Sequence, residues 1–278
     1  MGASFSVQVG AGLATQLLRT SGWLPVVTLR IVFSALLLLV LRPPRLGVVP
    51  RGAWVSAVLL GLDLVLMNTL FYFSLSRIPL AVAVTIEFWG PLAVAVVGSR
   101  RARDFAWVVL AAIAIYILTG SRLIADDALG VAAAFAAGAL WAIYIPIGGR
   151  VAREWPDGRG LTVAMAVAGA LSLLVAAAGG ALGQALGSPS LILGGLVIAL
   201  FSSAIPYSLE IAALDRIPAA TFGVLMSIEP AVAALVGLVF LGQGLSALEV
   251  VAIAMIVVAS AGASLSARSM PIAPADPA

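Results

Sequence analysis

Apolar runs of about twenty residues recur along the whole chain, each bounded by Arg, Pro, Gly or Asp. Ten can be marked: 3–18, 25–41, 53–75, 79–98, 104–120, 129–149, 160–179, 191–213, 218–240 and 247–266. At 1.5 Å per residue each makes a helix about 30 Å long, enough to cross the hydrocarbon core of a bilayer. No run alternates with period two, which argues against strands. The pattern predicts an all-α membrane protein with ten transmembrane helices. Pro79 and Pro218 fall at predicted helix starts, where a missing N–H costs nothing. Ser246 with Glu249 reads as a capping box that opens the last span. The first span starts almost at Met1 and has no basic flank. A signal peptide would need a basic n-region and a cleavage site, and Gln8 interrupts the apolar stretch. We therefore read a membrane helix short of its first turns, as from a mis-assigned start.

Composition adds exclusions. Of 278 residues, 63% are hydrophobic and 10% charged, against roughly 45–50% and 25% in soluble domains. No separate soluble domain fits. There is no cysteine or histidine, and all fifteen basic residues are arginine. Thiolate and imidazole metal sites, Schiff-base lysines and His-based triads are excluded. No metal and no cofactor is expected. The net charge of +3 comes from arginines in short loops between apolar runs, so the predicted partner of the basic charge is membrane lipid, not nucleic acid.

The arginines also orient the chain. With the N-terminus in the cytoplasm, the inside loops and tail hold Arg42, Arg45, Arg51, Arg100, Arg101, Arg103, Arg150, Arg153, Arg159, Arg216 and Arg268, and the outside loops only Arg19, Arg77 and Arg122. This bias predicts a multi-pass protein of a bacterial inner membrane with both termini cytoplasmic. Whether it works as a monomer or a homodimer is not encoded in these patterns.

A shift of 139 residues brings "LSRIPLAVAV" (75–84) onto "LDRIPAATFG" (214–223). Pro91 then meets Pro230, Ala95 meets Ala234 and Gly98 meets Gly237, without a gap. The shift maps spans three and four onto eight and nine, so each half holds five helices. An odd number of crossings makes the second half enter from the opposite side. The expected architecture is two inverted five-helix repeats, 1–122 and 123–266, with a cytoplasmic tail at 267–278. In secondary transporters of that kind the site lies at the repeat interface near the midplane. Small residues four apart (Ala133 and Ala137, Ala259 and Ala263) suit close helix packing.

Five ionisable residues lie within spans, away from the ends: Arg30, Asp63, Glu87, Glu210 and Glu229. Each charge at the bilayer centre costs roughly 2.5–3.5 kcal/mol on insertion scales. One arginine can neutralise about one of the four acids. The others must be protonated or face a wet cavity. Glu87 maps within one helical turn of Glu229, and both precede a proline, Pro91 or Pro230. Pro91 frees the carbonyl of Glu87 itself, a break tolerated only beside protein or water. The expected answer is a cavity wall, with Glu87 and Glu229 as proton carriers. Asp63 is a further proton-coupling candidate, or a partner of Arg30. In "SSAIPYSLE" (202–210), Ser203, Pro206, Tyr207 and Glu210 form one stripe. Trp141 and Tyr144 lie mid-span three residues apart, and Gln8 interrupts the first span.

The stretches "IEFWGPLAVAVVGSRRARDFAWVVLA" (86–111) and "IPYSLEIAALDRIPAATFGVLMSIEPAVAALVGLVFLGQGL" (205–245) resemble the EamA-type, ten-helix drug/metabolite transporter superfamily, above all its bacterial threonine/homoserine exporters. The similarity runs from about Gln8 to the last span. It implies proton-coupled export of small amino acids or related metabolites by alternating access. "GLDLVLMNTLFYFSLSRIP" and "WAIYIP" look like the family's third and sixth spans, which adds Asn68 and Tyr72 to the candidates. Trp89 stands where the family has a small polar residue, and Asp63 where it has an uncharged one.

The sequence thus predicts a secondary-active exporter, not an enzyme. Its expected substrate-binding residues are Gln8, Arg30, Asn68, Tyr72, Glu87, Trp89, Trp141, Tyr144, Tyr207, Glu210 and Glu229, with Arg30 to meet a substrate carboxylate. Trp89 keeps a broad-specificity drug or nucleobase/metabolite exporter as the alternative. A lipid-modifying membrane enzyme would need clustered acids, and a non-transporting scaffold would need no buried ions.

Overall fold

The computed structural model describes residues 2–44, 49–97, 105–119, 127–155, 157–217, 222 and 225–268. Among these the chain is helical, with no strand. The helices are α1 (Gly2–Ser21), α2 (Trp23–Leu41), α3 (Arg51–Leu75), α4 (Leu80–Glu87), α5 (Trp89–Val97), α6 (Phe105–Thr119) and α7 (Ala128–Glu154). They continue with α8 (Arg159–Ala178), α9 (Leu182–Gly187), α10 (Pro189–Ala199), a π-helical turn (Leu200–Ala204), α11 (Ile205–Arg216), α12 (Glu229–Leu241) and α13 (Ala247–Arg268). Four single helices, α2, α3, α7 and α8, and the continuous stretch Pro189–Arg216 are long and apolar enough to cross a membrane. Shorter apolar helices cover Leu80–Val94, Phe105–Leu118, Glu229–Leu241 and Ala247–Ala263.

The helices are inside out relative to a soluble bundle. On α3 the buried side carries Ser56, Asp63, Asn68 and Tyr72, while Val55, Leu59, Leu62 and Leu66 face outward. Leu174, Leu235 and Val239 are likewise more than half exposed. An apolar exterior around a partly polar interior is the solution a hydrocarbon solvent selects. The capping box forms as read: Ser246 N–H donates to Glu249 Oε2 (2.8 Å) and Glu249 N–H to Ser246 Oγ (3.3 Å).

Two predicted spans are not single helices. The fourth breaks at Phe88 into α4 and α5, because Pro91 has no N–H for the Glu87 carbonyl and the next backbone bond, Leu92 N to Phe88 O, is stretched to 3.4 Å. The eighth carries the π-helical turn just before Pro206. The ninth was expected from Pro218, which lies outside the described residues. Its α12 starts at Glu229 after a turn at Ser227 and Ile228. The six-residue α9 had no counterpart in the expected pattern. Arg45, Arg100, Arg101, Arg103, Arg122 and residues 269–278 also lie outside the described residues.

α3 packs against α7 and α8, α2 against α8 and α10, and α1 against α10, the π-turn and α12. α4 lies on α7 and α12, and α6 pairs with α13. The closest approach is between the α4–α5 break and α7. A methyl at position 90 would sit 1.9 Å from the Gly138 carbonyl oxygen, and one at 138 would sit 2.5 Å from the Glu87 carbonyl oxygen. Glycine at both positions is a steric requirement, since backbone meets backbone.

At the start of α7, Asp127 caps the helix. Its Oδ1 accepts Gly130 N–H (2.9 Å) and Arg77 Nε–H (2.7 Å). The Arg77 bond holds the Asp127 carboxyl below the usual carboxylate range. A lowered folded pKa contributes stability that is present above the unfolded value, about 3.9, and lost as pH falls through the folded one. Asp127→Ala should therefore cost about 1 kcal/mol at pH 7 and progressively less below pH 4, measured by thermal unfolding in detergent. Gly138→Val should cost about 1–3 kcal/mol or more through overpacking. An unchanged melting temperature for Gly138→Val would contradict the backbone contact.

Candidate functional site

The helix breaks and the polar interior meet in one place. Pro206 lacks an N–H, so one helical bond is missing beside the π-turn: in α register it would have served Ser202 O, four residues before it, and in π register Phe201 O, five before it. Ile205 N–H is already committed to Leu200 O. Both carbonyls accept a bond from outside the helix. Arg30 Nη2 on α2 donates to Ser202 O (2.7 Å), and Ser6 Oγ on α1 donates to Phe201 O (2.5 Å). Arg30 Nε also donates to Ser203 Oγ (2.7 Å), and its guanidinium lies 5.0 Å from the Tyr72 ring centroid. The arginine thus holds the broken helix, stacked on Tyr72. Among the described residues it forms no ion pair with a carboxylate, Asp63 included.

From Arg30 a hydrogen-bonded wall extends around a small cavity. Asn68 Nδ2 on α3 donates to the Tyr207 hydroxyl (3.0 Å) and to Leu64 O (2.7 Å). Tyr144 on α7 donates its hydroxyl to Glu210 Oε2 on α11 (3.0 Å). Gln8 Nε2 on α1 donates to Glu229 Oε2 at the first turn of α12 (3.4 Å). Glu87 closes the wall at the last residue of α4. The cavity they enclose is about 50 Å³, lined by these groups with Val7, Ala11, Met67, Phe71, Trp141 and Ser202. All three glutamates are at least 93% buried, so their carboxyls face this cavity or each other's neighbours, not hydrocarbon.

Nine of the candidates named from sequence therefore line one cavity: Gln8, Arg30, Asn68, Glu87, Trp141, Tyr144, Tyr207, Glu210 and Glu229. Tyr72 stands behind Arg30 as its stacking surface. Trp89 is elsewhere. It is two residues beyond Glu87, across the break, and its indole N–H donates to Phe135 O (2.9 Å). It lines a separate apolar hollow of about 600 Å³ with Leu92, Val96, Ala111 and Ile115. Asp63 is buried on α3 but is not part of the cavity lining, and neither of its carboxyl oxygens has a hydrogen-bond partner. Met67 and Phe71 were not singled out from sequence. The signal available was their spacing, one and two turns after Asp63.

Two further hollows flank the cavity at the two ends of the bundle. One, about 380 Å³, lies at the arginine-rich end among the last turns of α7 and α11, the end of α2 and the start of α8. The other, about 310 Å³, lies at the opposite end and includes Arg19, Ser76, Arg77 and Gln243.

The Arg30 staple gives a double-mutant test. Arg30→Ala leaves the Ser202 carbonyl without a donor, a loss of about 1–3 kcal/mol. Pro206→Ala restores the helical N–H. Arg30→Ala should therefore destabilise the detergent-solubilised protein markedly less in the Pro206→Ala background than in the parent. Equal losses in both backgrounds would mean the carbonyl is not what Arg30 serves.

Comparison with known proteins identifies similar chains. The EamA-like transporter family matches residues 128–265. The threonine/homoserine exporter RhtA of Salmonella typhimurium strain SL1344 is 40% identical over 271 residues, covering 97% of this chain and 91% of that protein. Its counterpart in Escherichia coli K12 is 40% identical over 270 residues, covering 96% and 90%. A solved crystal structure shares the fold over 95% of this chain and 96% of its own, with a TM-score of 0.66 at 20% identity.

Proposed function

The chain belongs to the EamA-like transporter family, and on that premise we propose that it is a proton-coupled exporter of threonine- or homoserine-like amino acids. The observation that carries the reading is the cavity: three buried glutamates, one arginine and two tyrosine hydroxyls enclosed by an apolar shell. Such a set has hydrogen-bonding partners for the ammonium, carboxylate and hydroxyl of a small amino acid. Glu87 and Glu229 sit at the α4–α5 break and at the start of α12. Each is a carboxyl on a segment end, able to change protonation as that end moves. Asp63 is the third proton-coupling candidate, behind the cavity on α3.

The two-repeat architecture is part of this proposal. Helix neighbours support it, because they are preserved when each segment is exchanged for the one five spans on. α2 lies on α8, α4 on α12 and α6 on α13. α3 lies on α7 as the α10–α11 segment lies on α1, and α4 on α7 as α12 lies on α1. The family match at 128–265 also spans about one such half. We take both halves to be inverted five-helix units, 1–122 and 123–266, with the termini and the arginine-rich end in the cytoplasm of a bacterial inner-membrane protein.

A cavity of about 50 Å³ has room for one or two waters at about 30 Å³ each, not for an amino acid, and ligand sites run from about 300 Å³ upward. Larger hollows of about 380 and 310 Å³ lie toward the two ends. Alternating access would then widen the centre toward one end at a time, bending at the α4–α5 break and the π-turn. Trp89 lies outside the cavity, so the feature that favoured a broad-specificity exporter does not shape this site.

The test is counterflow of labelled threonine and homoserine in proteoliposomes across pH. Glu87→Gln and Glu229→Gln should each slow counterflow by about tenfold, the effect of roughly 1.4 kcal/mol of lost stabilisation, and flatten its pH dependence together. Unchanged pH-dependent transport in the double variant would refute the coupling.

A further inference from the structure

Among the described residues, a polar-lined hollow much larger than the central cavity lies at the arginine-rich end, about 380 Å³. It is within the range of small-molecule sites, and the centre is not. Its charges are of both signs and come from separate elements. Arg42 caps the end of α2, Asp215 and Arg216 end α11, and Asp157 pairs with Arg159 Nη1 (3.1 Å) at the start of α8. The Asp157–Arg159 pair is internally neutralised. Arg42, Asp215 and Arg216 form no ion pair among the described residues.

The hollow is aligned with the centre. On α11, Asp215, Ile211 and Tyr207 follow one another at four-residue steps, from the hollow to the cavity wall. On α7, Ala152, Gly148 and Tyr144 make the same descent. The two spaces come close along α11, where Ser208 and Ile211 line the hollow and their neighbours Tyr207 and Glu210 line the cavity. Between them Ile211 Cδ1 rests over Gly148, 3.2 Å from where a β-carbon would be. Leu214 Cδ1 lies over the same glycine at 3.4 Å, so two apolar side chains pack there at the inner side of the charged hollow. The hollow at the other end has Arg19 and an already paired Arg77 but no carboxylate among its described lining residues.

We propose that the hollow at the arginine-rich end is a loading subsite for zwitterionic α-amino acids, with Arg42 and Arg216 taking the carboxylate and Asp215 the ammonium. A carboxylate between two arginines and an ammonium on the adjacent aspartate satisfy all three unpaired charges at once. A simple anion, such as phosphate or a lipid headgroup phosphate, would leave Asp215 facing like charge. Among its described lining residues the opposite hollow offers no acid for an ammonium, and that asymmetry favours loading from the arginine-rich end.

This inference rests on the exporter reading and deepens it. The test is sided transport of labelled threonine in proteoliposomes of uniform orientation, with KM read separately for the two faces. The double variant Arg42→Gln/Arg216→Gln, and separately Asp215→Asn, should raise KM at the arginine-rich face about tenfold, with kcat from that face and the other face's KM unchanged and kcat in the reverse direction lowered by the same factor, as reversibility requires. Asp215→Asn should also reduce the KM preference at that face for threonine over the 2-hydroxy acid that lacks the ammonium. KM unchanged at both faces, or raised equally at both, overturns the subsite. If the wild-type protein moves no amino acid, the exporter reading itself fails. The hollow is then read directly by quenching of Trp155, which lines it, as the difference from Trp155→Phe. Threonine-dependent quenching sustains the subsite. No quenching, or quenching by inorganic phosphate alone, overturns it.

Discussion

A backbone carbonyl without a donor cannot be left to hydrocarbon, and the centre of this molecule is organised around two of them. Pro206 removes the only N–H that could serve Ser202 in an α-helix or Phe201 in a π-turn. The chain answers from two other helices, with Arg30 and Ser6. Arg30 is thereby fixed against α11, over Tyr72 and beside Tyr207. An arginine is suited to this, because its fork can bond a carbonyl and a hydroxyl simultaneously from one rigid plane. The charge that the staple brings into the bilayer is what gives the surrounding carboxyls a reason to be near. The broken helix, the cation and the acids are thus one arrangement.

The same logic recurs on the other side of the cavity with a different solution. Pro91 releases the Glu87 carbonyl, and there the chain does not supply a side chain. It brings the α7 backbone close at Gly138 instead. One break is bridged by a long flexible-stemmed cation and the other by direct main-chain contact. The first can be exchanged for another partner without moving a helix, whereas the second cannot.

Much of this could be read in the chain before any coordinates. The apolar runs mark the helices, because twenty residues with an apolar exterior have few other uses. Glu87 before Gly90 and Pro91 signalled a loosened helix facing something polar, since neither the charge nor the freed carbonyl is tolerable against lipid. Polar residues spaced at helical intervals in 202–210 and at 141 and 144 belong to one wall for the same reason. The direction of Trp89 was not legible, because it depends on how far the chain rotates across the break, and that is fixed by the contact with α7. The π-turn was equally hidden. Pro206 guarantees orphaned carbonyls, but which donors reach them depends on helices almost two hundred residues away in sequence. Met67 and Phe71 read as ordinary core because apolar lining and apolar packing are written with the same residues.

The meeting of Gly90 and Gly138 reaches beyond the site itself. Main chain from the segment before residue 98 meets main chain from the segment after residue 127 there, with the Trp89 indole beside Gly138. Until α7 is in place, the bare peptide groups at Glu87 and Gly90 have no protein to lie against. During biosynthesis the segment before residue 98 must then wait in the bilayer with an open seam, and it closes only when α7 arrives.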